Sequence, residues 1–238
     1  MAHRQCPSPN FGHRRGGAAP SLVVLHYTAM DSADAALQRM CDPGTEVSAH
    51  YLIDERGETI QMVDEADRAW HAGAGQWRGI DDVNSHSIGI ELANSGAAPF
   101  THRQMCALEA LLARIMQRHG IPAEGVIGHS DMAPGRKSDP GARFDWQRLA
   151  RQGLAVWPGL PGDGGAAARN TGDPDPQSFR TALGAFGYPS GEEISDETLL
   201  HAFRMRFRPG GAGLDRFDLA IAESLADRFA VDRASRSS

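Results

Sequence analysis

Between positions 158 and 176 the chain carries four prolines and five glycines in 19 residues, ending in Asp173-Pro174-Asp175-Pro176. Such a stretch holds neither a helix nor a sheet ladder, because proline lacks the amide donor and glycine loses the most backbone entropy on ordering. It reads as a linker. It divides the 238 residues into a domain over 1–157, the linker over 158–176 and a smaller unit over 177–238. The first part is long enough to bury a core of its own.

Within that part, residues 21–25 (Ser-Leu-Val-Val-Leu) form a continuous apolar run of buried-strand type that leads into His26. Ser32 is placed to cap a short helix with Ala33, Ala36, Leu37 and Met40 on one face. Residues 50–54 and 59–63, joined by Glu55-Arg56-Gly57-Glu58, read as a β-hairpin. Residues 87–92 (Ser-Ile-Gly-Ile-Glu-Leu) predict another strand. Thr101-x-x-Gln104 has the capping-box pattern, followed by Met105, Leu108, Leu112 and Ile115 at helical spacing and a stop at Gly120-Ile121-Pro122. Residues 126–128 form a last short strand before His129. Strands and helices alternate around one hairpin, so the expected fold class is α/β, a mixed central β-sheet flanked by helices.

Beyond the linker the pattern is helical. Asp175 caps a helix bearing Phe179, Leu183 and Phe186, Ser195 caps one bearing Leu199, Phe203 and Phe207, and residues 214–229 supply a third. A small C-terminal helical bundle is expected.

Composition removes several classes of function. A formal net charge of −6 leaves no concentrated basic surface, so nucleic acid is not an expected partner. No run approaches the roughly 18 apolar residues of a membrane span. The N-terminus also lacks an apolar run of leader length, so the expected compartment is the cytoplasm, or the periplasm or cell envelope if a leader was removed. A monomer is expected. Cys6, Cys41 and Cys106 show no C-x-x-C spacing, which argues against a disulfide framework or a cysteine zinc site. Of 24 basic residues, Lys137 is the single lysine.

The ten histidines carry the chemistry. His26 and His129 stand at strand ends, where a side chain is held rigidly yet reaches a cleft, and a loop of turn residues runs from Ser130 to Asp139. Two imidazoles and a carboxylate suit a catalytic zinc ion, since three protein ligands leave the fourth tetrahedral position open. Residue types alone leave the choice among His26, His50, His71, His86 and His129 open, and there is no H-E-x-x-H motif.

Five segments in order resemble the motifs of zinc-dependent N-acetylmuramoyl-L-alanine amidases, the family that includes peptidoglycan recognition proteins. They are Val24-Leu25-His26-Tyr27-Thr28, Ser48-Ala49-His50-Tyr51-Leu52-Ile53, Ala69-Trp70-His71-Ala72-Gly73, residues 87–92, and residues 128–141 (Gly-His-Ser-Asp-Met-Ala-Pro-Gly-Arg-Lys-Ser-Asp-Pro-Gly). The resemblance spans residues 7–150, and the last segment is the most specific. It implies that His26, His129 and Asp139 bind one zinc ion, that Glu91 activates water, that Lys137 stabilises the oxyanion and that His71 lies near substrate. With a muramyl peptide as the implied substrate, Trp70 and Trp77 are candidates for stacking on sugar faces, and Asn84 and Arg136 are cleft candidates for peptide carboxylates, which a guanidinium grips with two hydrogen bonds. His50 is expected to be buried and structural or to support the site from behind.

The implied reaction is hydrolysis of the bond between N-acetylmuramic acid and L-alanine, in cell-wall turnover or recycling. Its partner would be peptidoglycan or 1,6-anhydro-muropeptides. A recognition module that binds muropeptides without cutting them, and a zinc peptidase acting inside the stem peptide, are the rival readings. Ala93 stands where several relatives carry a second acid, so their substrate preference does not transfer. The C-terminal unit resembles the three-helix peptidoglycan-binding domain more weakly, and docking on the catalytic domain is an equal expectation.

Overall fold

The computed structural model describes residues 4–158, 173–189 and 191–231. Most of the linker expected from composition therefore lies outside the described residues. Eight strands are defined: β1 Arg4–Gln5, β2 Phe11–His13, β3 Leu22–Tyr27, β4 Tyr51–Ile53, β5 Thr59–Gln61, β6 Asp67–Ala69, β7 Ser87–Leu92 and β8 Val126–Gly128. Six of them form one mixed sheet in the order β1-β5-β4-β7-β3-β8, and β2 pairs antiparallel with β6 beside it. The neighbours β7, β3 and β8, the last at the edge of the sheet, run parallel, and β4 joins β7 in the same sense before turning back through the hairpin into β5.

Side-chain alternation along these strands sends residues to two faces, and each face has its own cover. Val23, Leu25, Ile88, Ile90 and Val126 pack with Leu108, Leu112 and Ile115 of α3 (His102–His119). On the opposite face Leu22, Val24 and Ile127 join Phe179, Leu183, Leu199, Phe203 and Leu225. Those last five belong to the three C-terminal helices, α6 (Pro176–Phe186), α7 (Asp196–Phe207) and α8 (Arg216–Phe229). The sequence segments on either side of the linker thus share one hydrophobic cluster. Each fully buried aliphatic or aromatic side chain there is worth about 1.5 to 3 kcal/mol.

Farther along that second face, Leu52 and Ile60 of the hairpin pack with Ala36, Leu37 and Met40 of α1 (Ala33–Cys41). Between this cluster and the one under the C-terminal helices, the face is left open at the carboxyl ends of β3, β7 and β8. Residues of α1, Trp70 and His71, and the segment from the start of α4 (His129–Met132) to Asp139 line the opening, whereas α2 (Val83–His86) leads into the amino end of β7 and α5 (Trp146–Ala150) packs with the α3 face.

Local signals hold where capping chemistry is decisive. Ser32 accepts from Ala35 N and Thr101 from Gln104 N, as expected of N-caps. The capping box at Thr101 is only half formed. Gln104 turns into the core, where its amide donates to Ile53 O at 2.9 Å and Ala93 O at 3.0 Å, satisfying two strand-end carbonyls. β3 continues through His26 to Tyr27, two residues past the apolar run. Among the described residues no helix is long and apolar enough to cross a membrane.

Candidate active site

His26 lies near the end of β3, and its register partner on β7 is Glu91. Residues in register on parallel strands project from the same face, so the imidazole and the carboxylate rise side by side into the opening. β8 ends at Gly128, and His129 starts the one-turn helix α4. Ser130 N donates to Asp139 O at 2.9 Å, which folds the loop back and returns Asp139 to the histidines.

The result is a tight cluster. His26 Nδ1 lies 2.8 Å from Asp139 Oδ2 and 2.9 Å from His129 Nδ1, and His129 Nδ1 lies 3.0 Å from the same carboxylate oxygen. All three residues are buried. His129 Nε2 is 2.7 Å from Ala72 O, a group that only accepts, so the proton of a neutral ring sits on Nε2 and the Nδ1 lone pair faces the cluster.

A chain of hydrogen bonds sets the same orientation for His26. The carbonyl of Val83 accepts from Ser87 Oγ at 2.6 Å, so that hydroxyl is free to accept from His71 Nε2 at 3.1 Å. His71 Nδ1 is then left as an acceptor for His26 Nε2, at 3.0 Å. Both Nδ1 lone pairs therefore point at one carboxylate oxygen. Three acceptors turned on one another repel unless a cation lies among them, which is the donor geometry of a metal site.

The electrostatics agree with that geometry. Burial, reinforced by neighbouring His129, lowers His26 to about 4 against the pull of Asp139. Burial alone would raise Asp139, but the nearness of the His129 and His26 rings outweighs that and holds it well below the usual carboxylate range. Burial and then the charge of Asp139 push Glu91 up to about 8, with Lys137 opposing. Glu91 Oε2 is buried and accepts no hydrogen bond among the described residues.

These groups line one cleft of about 360 Å³, together with Trp70, Lys137 and Ser138. The volume is in the range of small-molecule pockets. His71 borders the cleft and supports His26 from behind. Asn84 is buried outside the lining, and its Oδ1 accepts from the amides of His71 and Ala72 at 3.1 and 2.9 Å, shaping the loop that carries them. Arg136 lines the cleft while its Nη2 donates to Ala72 O at 2.7 Å and to Ala74 O. Trp77 is fully buried against Phe186 and Tyr188, so it is core and does not meet a sugar. His50 is buried too: its Nδ1 accepts from Gly89 N at 3.0 Å.

Sequence reasoning missed three participants. Ser87 passed as an ordinary strand residue, yet it anchors the His71 chain. Tyr27 lines the cleft and its hydroxyl meets Ser138 Oγ at 2.9 Å, tying β3 to the loop. Arg39, exposed on α1, borders the cleft from the wall opposite the loop. No motif marks it, because only the docking of α1 brings it there.

Comparison with known proteins gives a consistent picture. The family model described as N-acetylmuramoyl-L-alanine amidase matches residues 16–142. The chain is 37% identical over 234 residues to N-acetylmuramoyl-L-alanine amidase AmiD of Escherichia coli (strain K12), covering 89% of this chain and 84% of the relative. It is 37% identical over 163 residues to 1,6-anhydro-N-acetylmuramyl-L-alanine amidase AmpD of Haemophilus influenzae, covering 61% of this chain and 89% of the relative. A solved complex of the Escherichia coli AmiD with anhydro-N-acetylmuramic acid-L-Ala-D-γ-Glu-L-Lys superposes with a TM-score of 0.82 at 34% identity, covering 92% of this chain and 98% of that one. By this family match, sequence identity and structural likeness, the chain belongs to the N-acetylmuramoyl-L-alanine amidase family.

Proposed function

We propose that this protein is a zinc-dependent amidase that hydrolyses the bond between N-acetylmuramic acid and L-alanine in 1,6-anhydro-muropeptides. The observation that carries the reading is the convergence of His26 Nδ1, His129 Nδ1 and Asp139 Oδ2 within 3.0 Å of one another beside Glu91. The substrate class is supported by the anhydro-muropeptide in the AmiD complex.

The donor set fits zinc. Two neutral imidazole nitrogens and one carboxylate oxygen are a catalytic-type ligand set, and the outward nitrogen of each imidazole is already held by Ala72 O or by His71. When bound there, zinc would supply Lewis acidity to the scissile carbonyl and to an attacking water.

The remaining work falls to the chain. Glu91 in its carboxylate form, which the positive charge of a bound zinc would favour, takes the proton of the attacking water and returns it to the departing amine. Its raised affinity for a proton suits both halves of that exchange. Lys137 is exposed at the cleft rim, and its ammonium stabilises the carbonyl oxygen as negative charge develops there. Trp70 offers an apolar face to the sugar, and Arg136 and Arg39 border the cleft with positive charge for the peptide carboxylates.

The test is to incubate zinc-loaded protein, and protein stripped with a chelator, with an anhydro-muramyl tripeptide. Release of a peptide with a free L-alanine amine only by the loaded protein is expected. Binding without release would make the chain a recognition module. A product that leaves L-alanine on muramic acid would make it a peptidase.

A further inference from the structure

α7 carries two arginines in its last turn, and Arg206 lies on the buried side between the core residues Phe203 and Phe207. A guanidinium there is costly unless every contact is specific. Its partner is Asp131 of α4, across the boundary between the two parts of the chain. Arg206 Nη1 donates to Asp131 Oδ2 at 2.6 Å, and both side chains are only 1% exposed. Arg206 Nη2 reaches Val126 O at 3.2 Å, and the guanidinium lies 4.1 Å from the Trp146 ring centroid. A second group beyond the linker joins in, since Tyr188 OH donates to Asp131 Oδ1 at 2.5 Å.

What Asp131 does with this support is local to the site. Its Oδ2 also accepts from Gly128 N at 2.8 Å, so one carboxylate holds the backbone just before His129. That backbone has no slack: a Cβ on Gly128 would meet Pro140 Cδ at 2.8 Å, next to Asp139. Arg206 therefore grips both ends of a short segment, Val126 at its start and Asp131 at its finish, with His129 between them.

We infer that Arg206 is a positioning residue for His129, and that the C-terminal helices serve this protein as a brace for the metal-binding end of β8. The inference rests on the reading of His129 as a zinc ligand. It assigns the C-terminal helices a part in the catalytic site, independent of any binding to glycan.

The test uses the full chain and three variants, Arg206→Met, Tyr188→Phe and Arg204→Lys. The last weakens a buried ion pair, Arg204 with Asp218, that stays within the C-terminal helices. Zinc affinity is read by competition with a chelator, and hydrogen exchange across residues 126–133 is read in the metal-free protein. Arg206→Met is expected to bind zinc about tenfold more weakly, as supporting partners of metal ligands do when lost, and to exchange faster across 126–133. Tyr188→Phe is expected to shift both readouts less in the same direction, and Arg204→Lys to leave both unchanged. If Arg206→Met does not fold, Arg206→Lys replaces it and is expected to shift both readouts. Wild-type values in the Arg206 variant, or equal shifts in Arg204→Lys, would overturn the inference. Failure of the wild type to bind zinc would instead defeat the ligand assignment, and the exchange measurement would still judge the brace.

Discussion

His26 and Glu91 occupy the same rung of the sheet, as register partners on the parallel strands β3 and β7. The proposed ligand and the proposed proton carrier are thus spaced by backbone hydrogen bonding, which fixes neighbouring strands about 4.8 Å apart. Neither depends on a loop for its place, and a slip of one residue would send one of them to the α3 face.

Glu91→Gln removes the proton carrier while keeping its shape. The variant is expected to fold and to bind zinc like the wild type, with kcat lowered on the order of 10² to 10⁴. Zinc content measured beside single-turnover rates checks this, and unchanged turnover would remove Glu91 from the mechanism.

Lys137→Arg tests a point charge against a planar fork. Lys137 is exposed, so stability should not change. The rate is expected to fall by about 10² to 10³, the loss typical of an oxyanion donor. Steady-state kinetics with the anhydro-muramyl tripeptide decides it.

Gly89→Ala addresses the hydrogen-bond chain behind His26. A Cβ there would come within 2.4 Å of the His71 ring. The ring must move or the strand must bend, at a cost of about 1 to 3 kcal/mol. Both a lower Tm and weaker zinc binding are expected, because displacing His71 frees His26 Nε2 from its partner. A lower Tm with full zinc affinity would show that His71 does not orient His26.

Glu65→Gln predicts a change in acid stability far from the cleft. Burial alone would raise Glu65, but hydrogen bonds from Arg118, Tyr51 and His119 hold it at about 2. A folded value below the usual 4.5 gives stability that is complete above pH 4.5 and lost as the pH falls toward 2. The contribution is on the order of 2 kcal/mol, given the exposure of Arg118. The variant should be less stable than wild type at pH 7, and the gap should close between pH 4.5 and 2. Urea melts across that range read it directly.

Much of the architecture was legible because short-range chemistry determined it. The apolar run before His26, the alternation over residues 87–92 and the caps Ser32, Thr101, Asp175 and Ser195 each act within a few residues. The two-residue β1 and the β2–β6 pair were not legible, since strands that short carry no period. Asn84, Arg136 and Trp77 had residue types suited to a cleft, but a side chain's type does not say where its hydrogen bonds go. Asn84 spends its oxygen on two loop amides, Arg136 holds the same loop while lining the cleft, and Trp77 fills the core under α6.

By itself the sequence marked the residues proposed to carry the chemistry, because the motifs around His26, Glu91 and His129 and the Arg136-Lys137-Ser138-Asp139 run are written into local order. Only the tertiary structure decided which histidine nitrogen faces the carboxylate, and where the chain beyond the linker packs. Tautomer depends on what each outward nitrogen meets, and those partners, Ala72 O and His71, come from other segments. The buried pair of Arg206 and Asp131 joins residues 75 apart in sequence. Composition sees the linker between them as a boundary, whereas burial of charge in one shared core makes it a crossing.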